Sequence, residues 1–226
     1  AGLLGISYPG FYTSAGIINA HPALVAASPQ APIADLYMGD DSYHNGAFFL
    51  AANFGFYTGF NKQDHPQKPK HEPEFEYGTG DGYKFYVNMG AVQNANERYL
   101  KYSNPYWTDN VAHPNYDDFW QARNLVPHLR NIKPAVLVVG GWFDAEDLSG
   151  SLETYRAIKR NNPGTANSIV MGPWFHGGWA HEDASKLGDI DFGSNTAEFF
   201  REHIQLPFFL HYLKEAPDPK LPEAYI

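Results

Sequence analysis

Pro134-Ala135-Val136-Leu137-Val138-Val139-Gly140-Gly141 is the stretch on which the reading of this chain turns. Its β-branched apolar run is the strongest strand signal in the sequence. Helical periodicity follows over 146–160, closed by Asn161-Asn162-Pro163-Gly164, and a second strand is predicted at 168–172. A long amphipathic helix is predicted over 196–213, with Phe199, Phe200, Ile204, Phe208, Phe209 and Leu213 along one face. Residues 220–226 read as the entry to a further strand. Strands that alternate with helices need crossover connections, so the pattern predicts an α/β fold: a parallel sheet with helices on both faces.

Upstream, residues 3–6 read as the end of a buried strand and 11–20 as a helix that His21-Pro22 ends. The next strand is predicted at 24–27. Residues 33–59 are aromatic-rich with loose helical periodicity. Residues 61–82 are dense in Pro, Lys, His, Glu and Gly and read as an exposed loop. Helical stretches are predicted near 83–102 and 116–125. The division that follows is core at 1–33, a helical cap insertion at 34–131, and core again at 132–226. No internal repeat or low-complexity tract is visible.

The chain has 226 residues, of which 43% are hydrophobic and 16% aromatic, enough for a sizeable core. Asp and Glu number 25 against 16 Lys and Arg, a formal charge of −9. No basic run stands out, which argues against a nucleic-acid partner, because phosphate contacts need clustered cations. The surplus acid suits either plain surface solvation or a site that attracts cations. With no cysteine, disulfides, thiolate metal ligation and thiol catalysis are excluded. No apolar stretch approaches the roughly 18–20 residues of a membrane span, and no membrane partner is expected.

The chemistry begins at Gly5-Ile6-Ser7-Tyr8-Pro9-Gly10. A serine among glycines at a strand-to-helix turn is how α/β-hydrolases expose a nucleophile. The spacing here is G-x-S-x-x-G, and alone it also suits an ordinary loop. A serine hydroxyl needs a base to take its proton and a carboxylate to orient that base. Both follow in the order acid, then histidine, each just past a predicted strand. Asp144 lies in Gly141-Trp142-Phe143-Asp144, and His176 in Gly172-Pro173-Trp174-Phe175-His176-Gly177-Gly178. Taken singly, Asp144 reads equally as a helix N-cap and His176 as one of ten histidines in a surface loop. Together with Ser7 they read as a triad.

At this point the chain resembles the S15-type serine hydrolases, a family that includes X-Pro dipeptidyl peptidases, cocaine esterase, glutaryl acylases and α-amino-acid ester hydrolases. The resemblance covers nearly the whole chain. It rests on the segments around Ser7, Asp144 and His176 together with His21-Pro22-Ala23-Leu24, Tyr37-Met38-Gly39-Asp40-Asp41 and His113-Pro114-Asn115-Tyr116-Asp117-Asp118-Phe119-Trp120. It implies that Ser7 is acylated, that His176 is general base and then acid, and that Asp144 orients it. The backbone N–H of Tyr8 would donate to the oxyanion. The family's second donor, a tyrosine hydroxyl, comes from well upstream of the serine. With six residues before Ser7, the chain reads as a piece of a longer protein whose preceding strands it lacks. Exported relatives imply a periplasmic or secreted setting.

Within the family, α-amino-acid ester hydrolases hold a substrate ammonium among three carboxylates, in a G-D-D segment and a D-x-E-D pattern. Gly39-Asp40-Asp41 and Asp144-Ala145-Glu146-Asp147 match, which assigns Asp41, Glu146 and Asp147 to that role. Carboxylates gathered in a pocket repel one another unless a cation offsets them. The alternatives are that Glu146 and Asp147 cap the next helix and that Asp40-Asp41 is a solvated turn. His65, His71 and His113 lack paired spacing, so no metal is expected, and no cofactor. Phe48-Phe49 through Phe60 reads as cap core, with some of its rings lining the acyl pocket as the second reading. Trp142, Trp174 and Trp179 read as packing, with pocket lining second.

The expected function is hydrolysis or transfer of α-amino acyl esters or β-lactam amides through an acyl-enzyme. The alternatives are X-Pro dipeptide release, a glutaryl-type acylase, or a piece that only binds. The substrate is a small ester, amide or peptide; a homo-oligomer is allowed but not indicated.

Overall fold

The computed structural model describes residues 1–59 and 75–226. In chain order the elements are β1 (Gly2–Ile6), α1 (Tyr8–Gly16), β2 (Ala26–Gln30), the hairpin β3 (Tyr43–His44) and β4 (Ala47–Phe48), and α2 (Leu50–Gly59). Then come α3 (Gly82–Met89), α4 (Pro105–Ala112), α5 (Asp118–Gln121), β5 (Ala135–Gly141), α6 (Leu148–Asn161) and β6 (Asn167–Gly172). The hairpin β7 (Lys186–Leu187) and β8 (Ile190–Asp191) follows, with α7 (Thr196–Phe200), α8 (Leu206–Lys214) and β9 (Ala224–Tyr225).

Five strands form a sheet in the order β1-β2-β5-β6-β9, and every neighbouring pair is parallel. The run that decided the reading is β5, buried at all seven positions. Its side chains alternate between faces. Leu137 and Val139 pack with Phe200, Ile204 and Phe208 of the last helices. Val136 and Val138 pack with Ile17, Ala157 and Ile158 on the other side. Both faces are covered, as an all-parallel sheet requires. The predicted final strand is β9, paired to β6.

The strand expected at 24–27 is instead β2 at Ala26–Gln30, with Pro29 inside a central strand. Proline has no N–H for the ladder. Ala31 N–H donates to Val139 O at 2.7 Å, and two residues back the same pattern would put the N–H of residue 29 on Leu137 O. The Ser28 hydroxyl donates to Leu137 O at 2.8 Å and fills that place. Similarly, the strand predicted to end at Ile6 is less buried than expected. As β1 it lies at an edge of the described sheet, with Leu4 exposed.

The helix expected over 11–20 begins earlier and stops at Gly16, because Ile18 turns away to bridge Ile132. The long helix at 196–214 is interrupted by a wide turn, Arg201–Gln205, just before Pro207. Such a turn accommodates the missing N–H and the bulk of the ring. Phe200, Ile204 and Phe208 are buried along this stretch, while Phe199 and Leu213 are exposed.

Among the described residues, the elements between β2 and β5 add no strand to this sheet and pack around their own cluster of Phe54, Tyr57, Phe85, Met89, Leu100 and Trp107. Residues 33–49 are turns and a hairpin rather than a helix. The stretch 83–102 is the shorter α3 plus a wide turn at Asn96–Leu100, and 116–125 holds only the one-turn α5. Helix α4 was not anticipated. Its signal was legible: Asn104 accepts the Trp107 N–H at 3.0 Å, and Pro105 opens the helix. Most of the loop expected at 61–82, with His65 and His71, lies outside the described residues.

Candidate active site

Ser7 stands between β1 and α1 with φ 64 and ψ −126, a conformation few non-glycine residues adopt. Its N–H donates to Gln30 O at 3.0 Å, and its carbonyl accepts from Phe11 N–H at 2.9 Å. The two glycines of the motif are steric requirements of this turn. A Cβ on Gly5 would lie 2.2 Å from Pro9 O, and one on Gly10 would lie 2.5 Å from Gln30 O. Tyr8 opens the helix, where first-turn N–H groups have no intrahelical acceptor and favour negative charge.

Asp144 and His176 sit in the loops after β5 and β6, which their parallel pairing sets side by side. Phe143 N–H donates to Trp174 O at 3.0 Å and holds the two loops together. His176 Nδ1 lies 2.9 Å from Asp144 Oδ2. The other Asp144 oxygen accepts the backbone N–H groups of Glu146 and Asp147 at 2.9 and 3.0 Å. Burial works against ionising Asp144. The His176 bond and charge, with those two N–H groups, prevail and hold its carboxyl below the usual value. Burial likewise opposes protonating His176, but the Asp144 bond and the charges of Asp144, Glu146 and Asp41 push its pKa up.

Ser7 lines a cleft with Tyr8, Asp41, Asn53, Phe56, Tyr57 and Glu146. Glu146 Oε2 is 3.8 Å from His176 Nε2, so the imidazole nitrogen not held by Asp144 is directed toward an acid of this cleft. No hydrogen bond joins the Ser7 hydroxyl to His176 among the described residues. Such bonds often tighten only when substrate is bound.

The acidic residues are brought together. Asp41 and Glu146 share the cleft with Ser7. Asp147 is fully buried beside Asp41, Asp40, Asp144 and Glu146, and neither of its carboxylate oxygens has a hydrogen-bond partner among the described residues. Asp147 occupies the N-cap position of α6 but makes no capping bond. Burial, then the charge of Glu146, raises Asp41 to about 6. Burial raises Asp147 well above the carboxylate range and Asp40 to about 7. Asp40 is not a solvated turn residue, being 2% exposed.

These shifts share a sign. Raised carboxyls bind more protons folded than unfolded, so their contribution to stability falls as pH rises from about 4 to 7. The raised His176 contributes fully below its unfolded value and loses that as pH passes its folded value. Asp144 acts oppositely, and only at the acid end. One unit is about 1.4 kcal/mol, and each kcal/mol moves the midpoint of a domain this size by about 2–4 °C. The melting temperature is therefore expected to fall by about 5 °C or more from pH 5 to pH 8. A midpoint that stayed level or rose across that interval would contradict the buried-acid geometry.

Of three further residues near the site, Gln30 escaped the sequence reading, while Tyr57 and Asp40 figured there only as members of a segment. Gln30 accepts the Trp179 indole N–H at 2.7 Å and donates to Ser28 and Gln205, while its carbonyl holds Ser7 N–H. Tyr57 hydrogen-bonds Tyr8 and Asn110. Asp40 accepts three backbone N–H groups. Asp40 had a local signal in its place beside Asp41 and Tyr57 in its aromatic segment; Gln30 had none. Trp174 and Trp179 are buried packing residues, and Trp142 is exposed; none lines the Ser7 cleft. His113 binds Asp117 at 2.7 Å and stacks on Phe119.

A sequence profile of the X-Pro dipeptidyl-peptidase (S15 family) matches residues 1–178. The cocaine esterase of Rhodococcus sp. (strain MB1 Bresler) is 25% identical over 201 residues, covering 82% of this chain and 32% of that protein. An aminopeptidase from the marine sediment archaeon Thaumarchaeota archaeon superposes with TM-score 0.90 at 34% identity, over 99% of this chain and 36% of that one. An α-amino acid ester hydrolase superposes with TM-score 0.88 at 31% identity, again over 99% and 36%. The chain thus spans about a third of the length of these relatives.

Proposed function

This chain belongs to the X-Pro dipeptidyl-peptidase (S15) family, and from that premise we propose that it carries the catalytic residues of a serine hydrolase for α-amino acyl esters and amides, β-lactam amides included. In this reading residues 1–33 and 132–226 are the hydrolase core and 34–131 the cap.

The Ser7 hydroxyl attacks the acyl carbonyl, and its proton passes to His176 Nε2. Asp144 holds the Nδ1 proton and stabilises the imidazolium. The Tyr8 N–H, at the positive end of α1, stabilises the oxyanion. His176 then protonates the leaving group, and water or an amine resolves the acyl-enzyme by the reverse sequence.

The single observation that carries the substrate class is the shared cleft of Ser7, Asp41 and Glu146, with the buried Asp147, whose oxygens have no hydrogen-bond partner among the described residues, next to those acids. Carboxylates kept in a half-buried pocket disfavour one another until a cation enters. An ammonium α to the scissile carbonyl would place that cation a few bonds from Ser7. The names of the aminopeptidase and the α-amino acid ester hydrolase agree with such a substrate. A glutaryl group would bring a carboxylate against Asp41 and Glu146 and is disfavoured. X-Pro dipeptide release also presents an α-ammonium and stands as the second reading.

The test is labelling of the intact protein by a fluorophosphonate, with turnover of an α-amino ester compared with its des-amino analogue. Label on the parent and none on Ser7→Ala is expected, with the amine favoured by about tenfold or more, equivalent to roughly 1.4 kcal/mol. Label that persisted in Ser7→Ala would remove the nucleophile assignment and leave a binding role. Equal turnover of the two esters would remove the ammonium site.

A further inference from the structure

The acids of the cleft arrive on two separate segments. Asp41 follows Gly39-Asp40, and Glu146 and Asp147 precede α6. Nothing in the local sequence sets the distance between them, so a tertiary contact must. We infer that Asp40 is the positioning residue of this acidic cluster, clamping the segment that bears Asp41 to the first turn of α6 and so setting the preference for a substrate ammonium. The inference rests on the ammonium reading of the cleft proposed above.

The geometry is specific. Asp40 Oδ1 accepts the Gly150 N–H at 2.6 Å, across 110 residues of chain. Oδ2 accepts the Ala34 and Asp35 N–H groups at 2.8 and 3.0 Å. One buried carboxylate therefore closes its own turn with one oxygen and caps a distant helix with the other. Gly150 is the third residue of α6, the position whose N–H an N-cap side chain ordinarily takes. The resident N-cap, Asp147, makes no such bond. With Asp40 in the capping role, both Asp147 oxygens stand in the cluster without a hydrogen-bond partner among the described residues.

The seam between the segments is built for this contact. A Cβ on Gly150 would lie 1.9 Å from Pro32 O and 3.0 Å from both Asp40 oxygens. On the other side Gly39 has φ +135, and a Cβ there would meet the Ser149 side chain at 3.1 Å. Glycine on each side lets the two backbones approach until the carboxylate reaches the helix.

The experiment is kinetic, on the intact protein. Asp40→Asn keeps the volume, but its amide must turn an N–H₂ toward backbone donors. Gly39→Ala disturbs the same seam without touching a carboxylate, and serves where Asp40→Asn does not fold. Each is assayed on an α-amino ester and its des-amino analogue, with rates normalised to fluorophosphonate-titrated sites. The expected result is a fall of about tenfold or more in the amino/des-amino ratio of kcat/KM, carried by KM of the amino substrate, as displacement of a binding group produces. Turnover of the des-amino ester per labelled site should change by less than about threefold. Equal losses on both substrates would reduce Asp40 to a fold-stabilising role and overturn the inference. So would an unchanged ratio in variants whose parent prefers the amine. A parent with no amine preference overturns it too, by a separate result that locates the fault in the ammonium reading itself.

Discussion

Asp144→Asn is expected to leave the fold standing and to lower kcat by about 10⁴-fold, the scale seen when a triad carboxylate becomes an amide. The two halves of that expectation come from the two oxygens of Asp144. Oδ1 accepts the Glu146 and Asp147 N–H groups, a job an amide carbonyl does equally well. The asparagine will therefore keep its oxygen on that side and turn its N–H₂ toward His176. Nδ1 must then accept, which moves the ring proton to Nε2, and a protonated Nε2 cannot take the proton of Ser7. Fluorophosphonate labelling and ester turnover in the intact protein, with thermal melts alongside, check both halves. A variant that melts within about 3 °C of the parent, roughly 1 kcal/mol, yet loses its turnover supports the account. Retained turnover would show that His176 is oriented by something else.

The second large effect runs in opposite directions for stability and for function. Asp147→Asn is expected to stabilise the chain by about 1–3 kcal/mol near pH 8, the scale of relieving a buried unsatisfied group, while weakening the preference for an α-amino substrate. Asp147 is fully buried, its oxygens have no hydrogen-bond partner among the described residues, and the charges beside it are those of Asp41, Asp40, Asp144 and Glu146. An amide of the same shape removes the repulsion and offers donors to an environment of acceptors. A site kept in an unfavourable state for a ligand trades stability for binding. Denaturant melts at pH 8, with the amino/des-amino comparison, measure the two sides. A variant that is less stable and equally selective would show that Asp147 is a structural acid.

The architecture and the order of the candidate triad were legible because both have local signatures. The β5 run is apolar at consecutive positions because both faces are covered. The serine turn announces itself through Gly5 and Gly10, neither of which can carry a side chain there. Asp144 and His176 follow strands that pair in register, so their positions along the chain already imply a common sheet end. Helix bounds were less legible. A central strand through Pro29 has no local signature, because the Ser28 hydroxyl replaces the missing donor only in the folded sheet, and Pro207 does not announce the wide turn that precedes it.

Pattern along the chain therefore pointed to a parallel α/β sheet and to a serine turn followed by an acid and an imidazole in hydrolase order, and the family resemblance singled out the acids beside them. Packing in three dimensions settled which of those acids meet, and which caps which helix. Asp40 reaches Gly150 across 110 residues, and Trp179 reaches Gln30 across 149. A hydrogen bond between such distant positions leaves no periodicity behind, because its partners are chosen by the fold and not by their neighbours in the chain.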